Sequence, residues 1–212
     1  MSFYRRQVVS LFGAALFAGA LGVVPAQAQG VDLAELAKPG PLGDKIQGNA
    51  NAPVTIIEYA SLTCPHCAHF HSTVYPSLKK NYIDTGKVRF VFREFPRDPV
   101  DVGAFMLARC APGDRYFPLV DVLFDQQQNW AFTRDAVKQL LTIAKQAGFT
   151  EDSFNKCLED KKLAEELRNV GRRAYEKFKV DSTPTVFING ELFRGEMTPA
   201  GFDKALAPLT KG

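Results

Sequence analysis

Two cysteines and three histidines lie within nine residues, in the segment TCPHCAHFH at 63–71. These are all the histidines of the chain and half of its four cysteines. Thiol and imidazole groups at this density are typical of either a metal site or a redox-active disulfide.

Helical geometry separates these two chemistries. At about 100° per residue, Cys64, Cys67 and His71 fall in one stripe of a helix, whereas His66 and His69 point elsewhere. The five groups therefore cannot converge on one ion, and we expect His69 and His71 to be surface or groove residues rather than ligands. We predict a redox disulfide with neither a metal nor a cofactor, and keep a copper- or zinc-binding protein as an alternative.

The Cys-Pro-His-Cys motif favours a reactive first thiol. Cys64 is expected where a strand meets a helix, so that helical N–H groups and the helix dipole stabilise a thiolate. Pro65 suits the first helical turn, and His66 brings a donor or a positive charge to the same sulfur. We expect the pKa of Cys64 to lie well below the value of about 8.5 for a free thiol. Cys64 would be the exposed, attacked sulfur, and Cys67, a turn deeper, would resolve the mixed disulfide.

An acid in an apolar strand is the next candidate. Glu58 lies six residues before Cys64, and a buried carboxylate is costly unless it is paired. It is either a satisfied structural group or a proton acceptor for Cys67, and the neighbouring motif favours the second. Arg93 and Glu94 are either partners of Glu58 or charges at a strand end.

Thr183 and Pro184 precede the last predicted core strand. The proline either begins this strand in the trans form or bends the chain against Cys64. In the second case the strand edge could bind a client peptide.

Cys110 and Cys157 each end an apolar helical pattern. They are either two buried free thiols or a pair. In an exported protein we favour a structural disulfide, which would close a loop of about 48 residues and add roughly 4 kcal/mol of stability.

Hydrophobic periodicity predicts the elements that hold these residues. Only helical patterns, four or five of them, occur from 98 to 179, and Thr198 is the predicted N-cap of the last helix. We expect 29–43 to be irregular, then a strand at 54–61, a helix at 65–85, a strand at 88–95, strands at 183–190 and just after Gly190, and a helix at 199–209. This α/β order, β-α-β…β-β-α with Cys-x-x-Cys after the first core strand, indicates a thioredoxin fold in a single domain at 29–212, with a helical insertion at about 98–179.

The first 28 residues predict a signal peptide that is cleaved after Ala28. Arg5 and Arg6 precede an apolar run, and Ala26 to Ala28 fit a cleavage site. A retained membrane anchor is the alternative. Removing both arginines lowers the formal charge from +3 to +1, which argues against nucleic acid as a partner.

Three segments resemble the DsbA-type thiol:disulfide oxidoreductases of the bacterial periplasm: GNANAPVTIIEYASLTCPHCAHFH, KVRFVFREFP and STPTVFING. The similarity extends from about residue 44 to about residue 209. It implies a nucleophilic Cys64, a resolving Cys67, an acidic Glu58 and a cis-proline at Pro184. It also implies reduced exported proteins as substrates and reoxidation by a quinone-linked membrane partner of the DsbB type.

Related activities remain open. A disulfide isomerase or reductase could use the same fold, and Thr183 occupies a position that tunes redox behaviour and partner choice in the family. Isomerases of this superfamily generally carry an oligomerisation arm. Since only 15 residues lie between Ala28 and Asp44 and are broken by proline and glycine, we expect a monomeric oxidase.

Overall fold

The computed structural model describes residues 31–210. The predicted signal peptide at 1–28 and its cleavage site lie outside these residues. Among the residues described, no helix is both long enough and apolar enough to span a bilayer.

Five strands form one mixed sheet in the order β1-β3-β2-β4-β5. The central pair β2·β3 is parallel and the three other pairs are antiparallel. The strands are β1 (Lys45–Gln47), β2 (Val54–Ala60), β3 (Val88–Glu94), β4 (Thr185–Ile188) and β5 (Glu191–Leu192).

Ten α-helices and one π-helical turn accompany the sheet within residues 31–210. They are α1 (Leu33–Ala37), α2 (Pro65–Thr73), α3 (Tyr75–Leu78), the π-helical turn (Lys79–Ile83), α4 (Pro99–Cys110), α5 (Tyr116–Asp125), α6 (Gln127–Trp130), α7 (Ala136–Gln146), α8 (Glu151–Leu158), α9 (Lys161–Phe178) and α10 (Pro199–Leu206). Helices α4 to α9 occupy the chain between β3 and β4, and we refer to them as the helical segment.

The α/β class and the thioredoxin fold predicted from the sequence are confirmed, and Thr198 caps α10 as expected. Several details were wrong. The supposedly irregular lead-in contains α1, the edge strand β1 lies where no element was predicted, the helical segment has six helices, and α10 ends at Leu206. Strand β1 has no fully buried side chain, so it left no hydrophobic pattern and is held by its backbone pairing with β3.

The helix predicted at 65–85 is divided into three parts. Helix α2 ends at Thr73 with Val74 as its C-cap, and α3 begins at Tyr75 with Pro76 in its first turn. A proline lacks the N–H that would continue the helical hydrogen bonds of α2. The chain then completes its path to β3 through the π-helical turn.

Strand β2 is covered on both faces, which explains its nearly continuous apolar sequence. Ile56 and Ala60 pack into the larger core, which includes α2 and most of the helical segment. Ile57 and Tyr59 pack into a smaller core with α1 and the end of α9. Because side chains alternate along a strand, Glu58 faces the larger core.

A disulfide joins Cys110, the last residue of α4, to Cys157 near the end of α8. The two cysteines are 47 positions apart in the sequence. The bond therefore ties the first helix of the helical segment to its fifth.

Replacing both Cys110 and Cys157 by alanine should lower the free energy of unfolding by about 2–4 kcal/mol, because the loop closed in the unfolded chain is long. Urea denaturation of the wild-type and doubly substituted proteins measures this difference. Equal free energies of unfolding would contradict it.

Candidate active site

Cys64 occupies the junction between β2 and α2. It is the N-cap of α2 and has an extended backbone, with φ −88° and ψ 118°. Pro65 opens the helix, where its missing N–H removes no hydrogen bond. The next backbone N–H groups, those of His66 and Cys67, therefore point toward the sulfur of Cys64.

Side chains of the helical segment hold the turn that precedes Cys64. Asp101 is fully buried and accepts hydrogen bonds from the Ser61 hydroxyl (2.6 Å) and from the Leu62 backbone N–H (2.9 Å). The Gln127 amide donates to the backbone carbonyls of Leu62 (2.7 Å) and Cys64 (3.0 Å). The position of the cysteine motif thus depends on the helices inserted into the fold.

Asp98, the N-cap of α4, adds another contact by accepting a hydrogen bond from the Thr63 hydroxyl at 2.8 Å. Sequence reasoning did not identify Asp98, Asp101 or Gln127 as parts of the site. For Asp101 a signal existed, since it is a charged residue within an apolar helical pattern, as Glu58 is within its strand. Gln127 lies in a run of three glutamines that carries no such signal.

The pKa of Cys64 is lowered to about 4. The largest cause is a hydrogen bond from the Cys67 thiol to the Cys64 thiolate, and burial opposes it. A hydrogen bond from the Thr183 side chain and the backbone N–H groups of Cys67 and His66 contribute the rest. A thiolate is thus the stable form of Cys64 near neutral pH.

The Cys67 thiol has the opposite environment. It is fully buried, and burial raises its pKa well above the ordinary value. Its hydrogen bond to Cys64 and the negative charge of Glu58 raise the pKa further. The two thiols of one motif therefore differ sharply in acidity.

The expectation of an exposed Cys64 was wrong, because the residue is only 2 % exposed. Its sulfur contacts the loop before β4, where the Cys64 thiol donates a hydrogen bond to the Thr183 carbonyl at 3.3 Å. The Thr183–Pro184 peptide bond in this loop is cis. Within residues 31–210 the buried Thr183 hydroxyl oxygen has no other hydrogen-bond partner, so it is free to donate to the Cys64 thiolate.

The three histidines have different surroundings. His66 and His69 are exposed on α2, and His66 contributes to the acidity of Cys64 through its backbone N–H. His71, expected in a surface or groove position, is instead buried. Its Nε2 lies 3.0 Å from Oε2 of Glu58, which is itself fully buried.

Arg93 and Glu94 are not the partners of Glu58. Arg93 pairs with Asp44 at 2.8 Å and also donates to the Tyr59 hydroxyl. Glu94 accepts two hydrogen bonds from Arg109, at 2.5 and 2.8 Å, and one from Tyr116. Arg93 and Glu94 thus belong to two ion pairs that do not include Glu58.

A search of residues 31–210 finds no group of three histidine, cysteine, aspartate or glutamate residues placed to hold a metal ion. What the site does bring together is a low-pKa thiol, a high-pKa thiol, a carboxylate–imidazole pair and a cis-proline loop. Such a pair of unequal thiols can exchange a disulfide with another dithiol.

Comparison with known proteins yields matches over most of the chain. The family model described as thioredoxin matches residues 42–207. A Rickettsia bellii protein assigned by name to the protein-disulfide oxidoreductases is 36% identical over 167 residues, which are 77% of this chain and 64% of the relative. The chain thus spans less than two thirds of that relative's length.

Two further matches cover more of the other protein. A Bacillus anthracis protein named for disulfide bond formation, protein D, is 32% identical over 152 residues, or 68% of this chain and 69% of the relative. The crystal structure of Wolbachia pipientis alpha-DsbA1 is 34% identical, with a TM-score of 0.77, and the match covers 83% of this chain and 94% of that structure.

Replacing Thr183 by valine should raise the pKa of Cys64, because the threonine side chain donates a hydrogen bond to the thiolate. A hydrogen bond to a charged group contributes about 1.5–3 kcal/mol, so we expect a rise of about 1–2 pH units. The ultraviolet absorbance of the thiolate, titrated in the reduced protein, measures the pKa. Thr183→Ser keeps a hydroxyl and is the matched control; identical titrations of the valine and serine variants would refute the role of the hydroxyl.

Asp101→Asn should remove a pH dependence of stability. Burial raises the pKa of Asp101 to about 7 in the folded protein, whereas an aspartate in an unfolded chain titrates near about 3.9. Between these values the folded state binds more protons than the unfolded state, so the free energy of unfolding contributed by Asp101 falls as the pH rises.

Urea denaturation of the wild-type and Asp101→Asn proteins at several pH values tests this sign. The stability of the wild type relative to the variant should decrease from about pH 4 to about pH 7. A difference that does not change across this window would contradict the assignment.

Proposed function

The chain belongs to the DsbA-type protein-disulfide oxidoreductases of the thioredoxin family, and from this premise we propose that it is an oxidase that donates its Cys64–Cys67 disulfide to exported proteins. The observation that carries the proposal is the unequal acidity of the two thiols. Because the Cys64 thiolate is stable, the reduced dithiol is stabilised relative to the disulfide. A dithiol of this kind corresponds to an oxidising disulfide.

In the proposed reaction a client thiolate attacks the Cys64 sulfur. The Cys64–Cys67 bond breaks, its electron pair passes to Cys67, and Cys67 takes up a proton. A second client thiolate then attacks the client sulfur of the mixed disulfide and releases Cys64 as a thiolate. Two electrons and one proton have then passed to the enzyme, and the client holds a new disulfide.

Each residue of the cysteine motif, together with Glu58, has a role in this scheme. Cys64 is the nucleophile of the reduced enzyme and the sulfur attacked in the oxidised enzyme, and Cys67 resolves the mixed disulfide. Pro65 begins the helix whose N–H groups, including that of His66, stabilise the thiolate. Glu58 exchanges a proton with Cys67, on whose pKa its charge acts.

The loop before β4 is the proposed client-binding surface. The Thr183 carbonyl contacts the Cys64 sulfur, and Pro184 in the cis form continues directly into β4. An extended client peptide can pair with the backbone of this loop. Because Cys64 has little exposed surface, the client strand must align with this loop before the client thiolate can reach the Cys64 sulfur.

The remaining parts of the proposal concern the cellular setting. A segment with signal-peptide features at 1–28 supports export to the periplasm, where disulfides persist. Reoxidation of the dithiol requires an electron acceptor, for which we propose a quinone-linked membrane protein of the DsbB type. We propose a monomer as the active form and no interaction with nucleic acid.

A disulfide isomerase or reductase on the same fold is the second candidate, since Thr183 lies at a position that tunes the acidity of Cys64. A non-enzymatic copper- or zinc-binding protein is a third. Metal binding would have to be tight and would have to be abolished by both Cys64→Ala and His71→Ala.

The oxidase proposal predicts a high reduction potential. Equilibration of the purified protein with glutathione buffers should give a potential nearer to the value of about −120 mV for a strong oxidase than to about −270 mV for thioredoxin. The oxidised protein should also consume the thiols of a reduced unfolded client stoichiometrically, because each turnover transfers one disulfide.

Two variants provide the controls. Cys64→Ser should oxidise no client. Cys67→Ser, mixed with a client that already holds a disulfide, should accumulate a mixed disulfide visible by intact mass, because its Cys64 thiolate attacks the client disulfide, releases one client thiol and cannot be displaced by residue 67. A potential near that of thioredoxin, or scrambled-disulfide repair without net thiol oxidation, would favour the second candidate.

A further inference from the structure

The Glu58–His71 pair is buried in the larger core beside the cysteine motif. Glu58 is fully buried and the His71 side chain is 4 % exposed, with 3.0 Å between Oε2 and Nε2. An isolated charge at this depth would be very unfavourable, so the two groups compensate each other by sharing a proton. Unlike the arginine that partners Glu94, a histidine side chain can both donate and accept a proton.

Aromatic rings fix the orientation of His71. Its imidazole stacks on Phe124 with ring centroids 4.2 Å apart and an angle of 23° between the planes. The Tyr75 ring lies 4.7 Å away, and Phe92 meets the imidazole edge-on at 5.8 Å. These contacts hold the ring in place while its protonation changes.

A pocket of about 270 Å³ has His71, but not Glu58, in its wall. Ser72, Pro76 and Asp121 also line it and are exposed, so the pocket opens to solvent. Nδ1 of His71 has no hydrogen-bond partner among residues 31–210. Nδ1 itself is buried, and the imidazole thus lies between the buried carboxylate and a solvent-accessible space.

We propose that His71 relays protons between this pocket and Glu58, and thereby sets the rate at which Cys67 is protonated and deprotonated. The inference rests on the proposed disulfide exchange. His71 does not contact the reacting sulfurs in this scheme; it is a positioning residue that acts through Glu58.

The proton balance follows the direction of exchange. When the Cys64–Cys67 bond breaks, the leaving Cys67 thiolate takes the proton shared by Glu58 and His71, and His71 regains one from the pocket. When Cys67 attacks a mixed disulfide at Cys64, its proton passes to Glu58 and leaves through His71. The strongly raised pKa of Cys67 explains why the thiolate needs such a partner.

Several charged or titratable groups face His71. Glu58 on β2 accepts its proton, and Tyr75 on α3 packs against the ring. Asp121 and Asp125 on α5 line the pocket, as does Lys79 in the π-helical turn. Two carboxylates against one ammonium group leave a net negative pocket that attracts protons.

The test isolates the step in which Cys67 resolves a mixed disulfide. Reduced protein reacts with oxidised glutathione to form a mixed disulfide at Cys64, and stopped-flow measurement follows the release of the second glutathione between about pH 5 and about pH 9. His71→Gln can still donate a hydrogen bond to Glu58 but cannot relay a proton. We expect its resolution rate to fall about a hundredfold, the lower end of the usual contribution of acid–base catalysis, and to lose the pH dependence of the wild type.

Two further variants separate relay from structure. His69→Gln changes an exposed histidine on the same helix and should resolve at the wild-type rate. His71→Ala opens space beside the pocket, so added imidazole should restore most of the lost rate. Resolution by His71→Gln at the wild-type rate with an unchanged pH profile, or His71→Ala that imidazole does not rescue, would overturn the relay.

If the His71 variants do not fold, nuclear magnetic resonance of the wild type decides. The ring ¹⁵N shifts of His71 in the reduced protein must report a change of protonation within the same pH range, and a ring with one constant protonation state overturns the proposal. The outcome is independent of the client assay. Loss of rate in His71→Gln together with failure to oxidise clients would support the relay and reject the oxidase function.

Discussion

A single hydrogen bond between two thiols underlies the chemistry of this protein. The Cys67 thiol donates to the Cys64 thiolate, and this bond is the largest cause of the low pKa of Cys64. The same bond raises the pKa of Cys67, whose proton cannot leave without losing it. Everything that positions these two sulfurs, from the strand–helix junction to the loop of Thr183, therefore acts on the acidity of both thiols at once.

The inserted helices are part of this arrangement and not merely a cover for the sheet. Asp101 from α4 and Gln127 from α6 bond the turn on which Cys64 lies, and Phe124 from α5 stacks on His71. A change in the packing of the helical segment would shift the turn before Cys64 and the imidazole beside Glu58 together. The disulfide between α4 and α8 limits such changes.

The features of the site that depend on local chemistry could be predicted from the sequence. Cys-x-x-Cys after an apolar strand, Glu58 inside that strand and Thr183-Pro184 before the returning strand each carry their signal within a few residues.

The partners of these groups could not be predicted in the same way, because they are decided by packing between residues that are far apart in the sequence. Asp101 lies 40 residues from Ser61 and Gln127 lies 63 residues from Cys64, and β1 is held by pairing with a strand that follows it by about 40 residues. Helical geometry correctly placed His71 in the stripe with both cysteines. Its burial could not be predicted, because it depends on packing against α3 and α5, and hydrophobic periodicity does not show where those helices lie.

Comparison of the two buried glutamates explains why one belongs to the structure and the other to the chemistry. Glu94 is held by the guanidinium of Arg109 and by the Tyr116 hydroxyl. Arginine keeps its charge at every pH a folded protein meets, so this pair cannot exchange protons and contributes only to packing and stability. Glu58 lies on the neighbouring strand, within the same core, and is paired with a histidine, a side chain that can both donate and accept a proton. Burial makes the loss or gain of a charge in either pair costly, but only in the Glu58 pair can one proton move without leaving a lone charge behind. The identity of the cationic partner, more than the depth of the acid, therefore distinguishes the carboxylate that can serve Cys67 from the one that cannot.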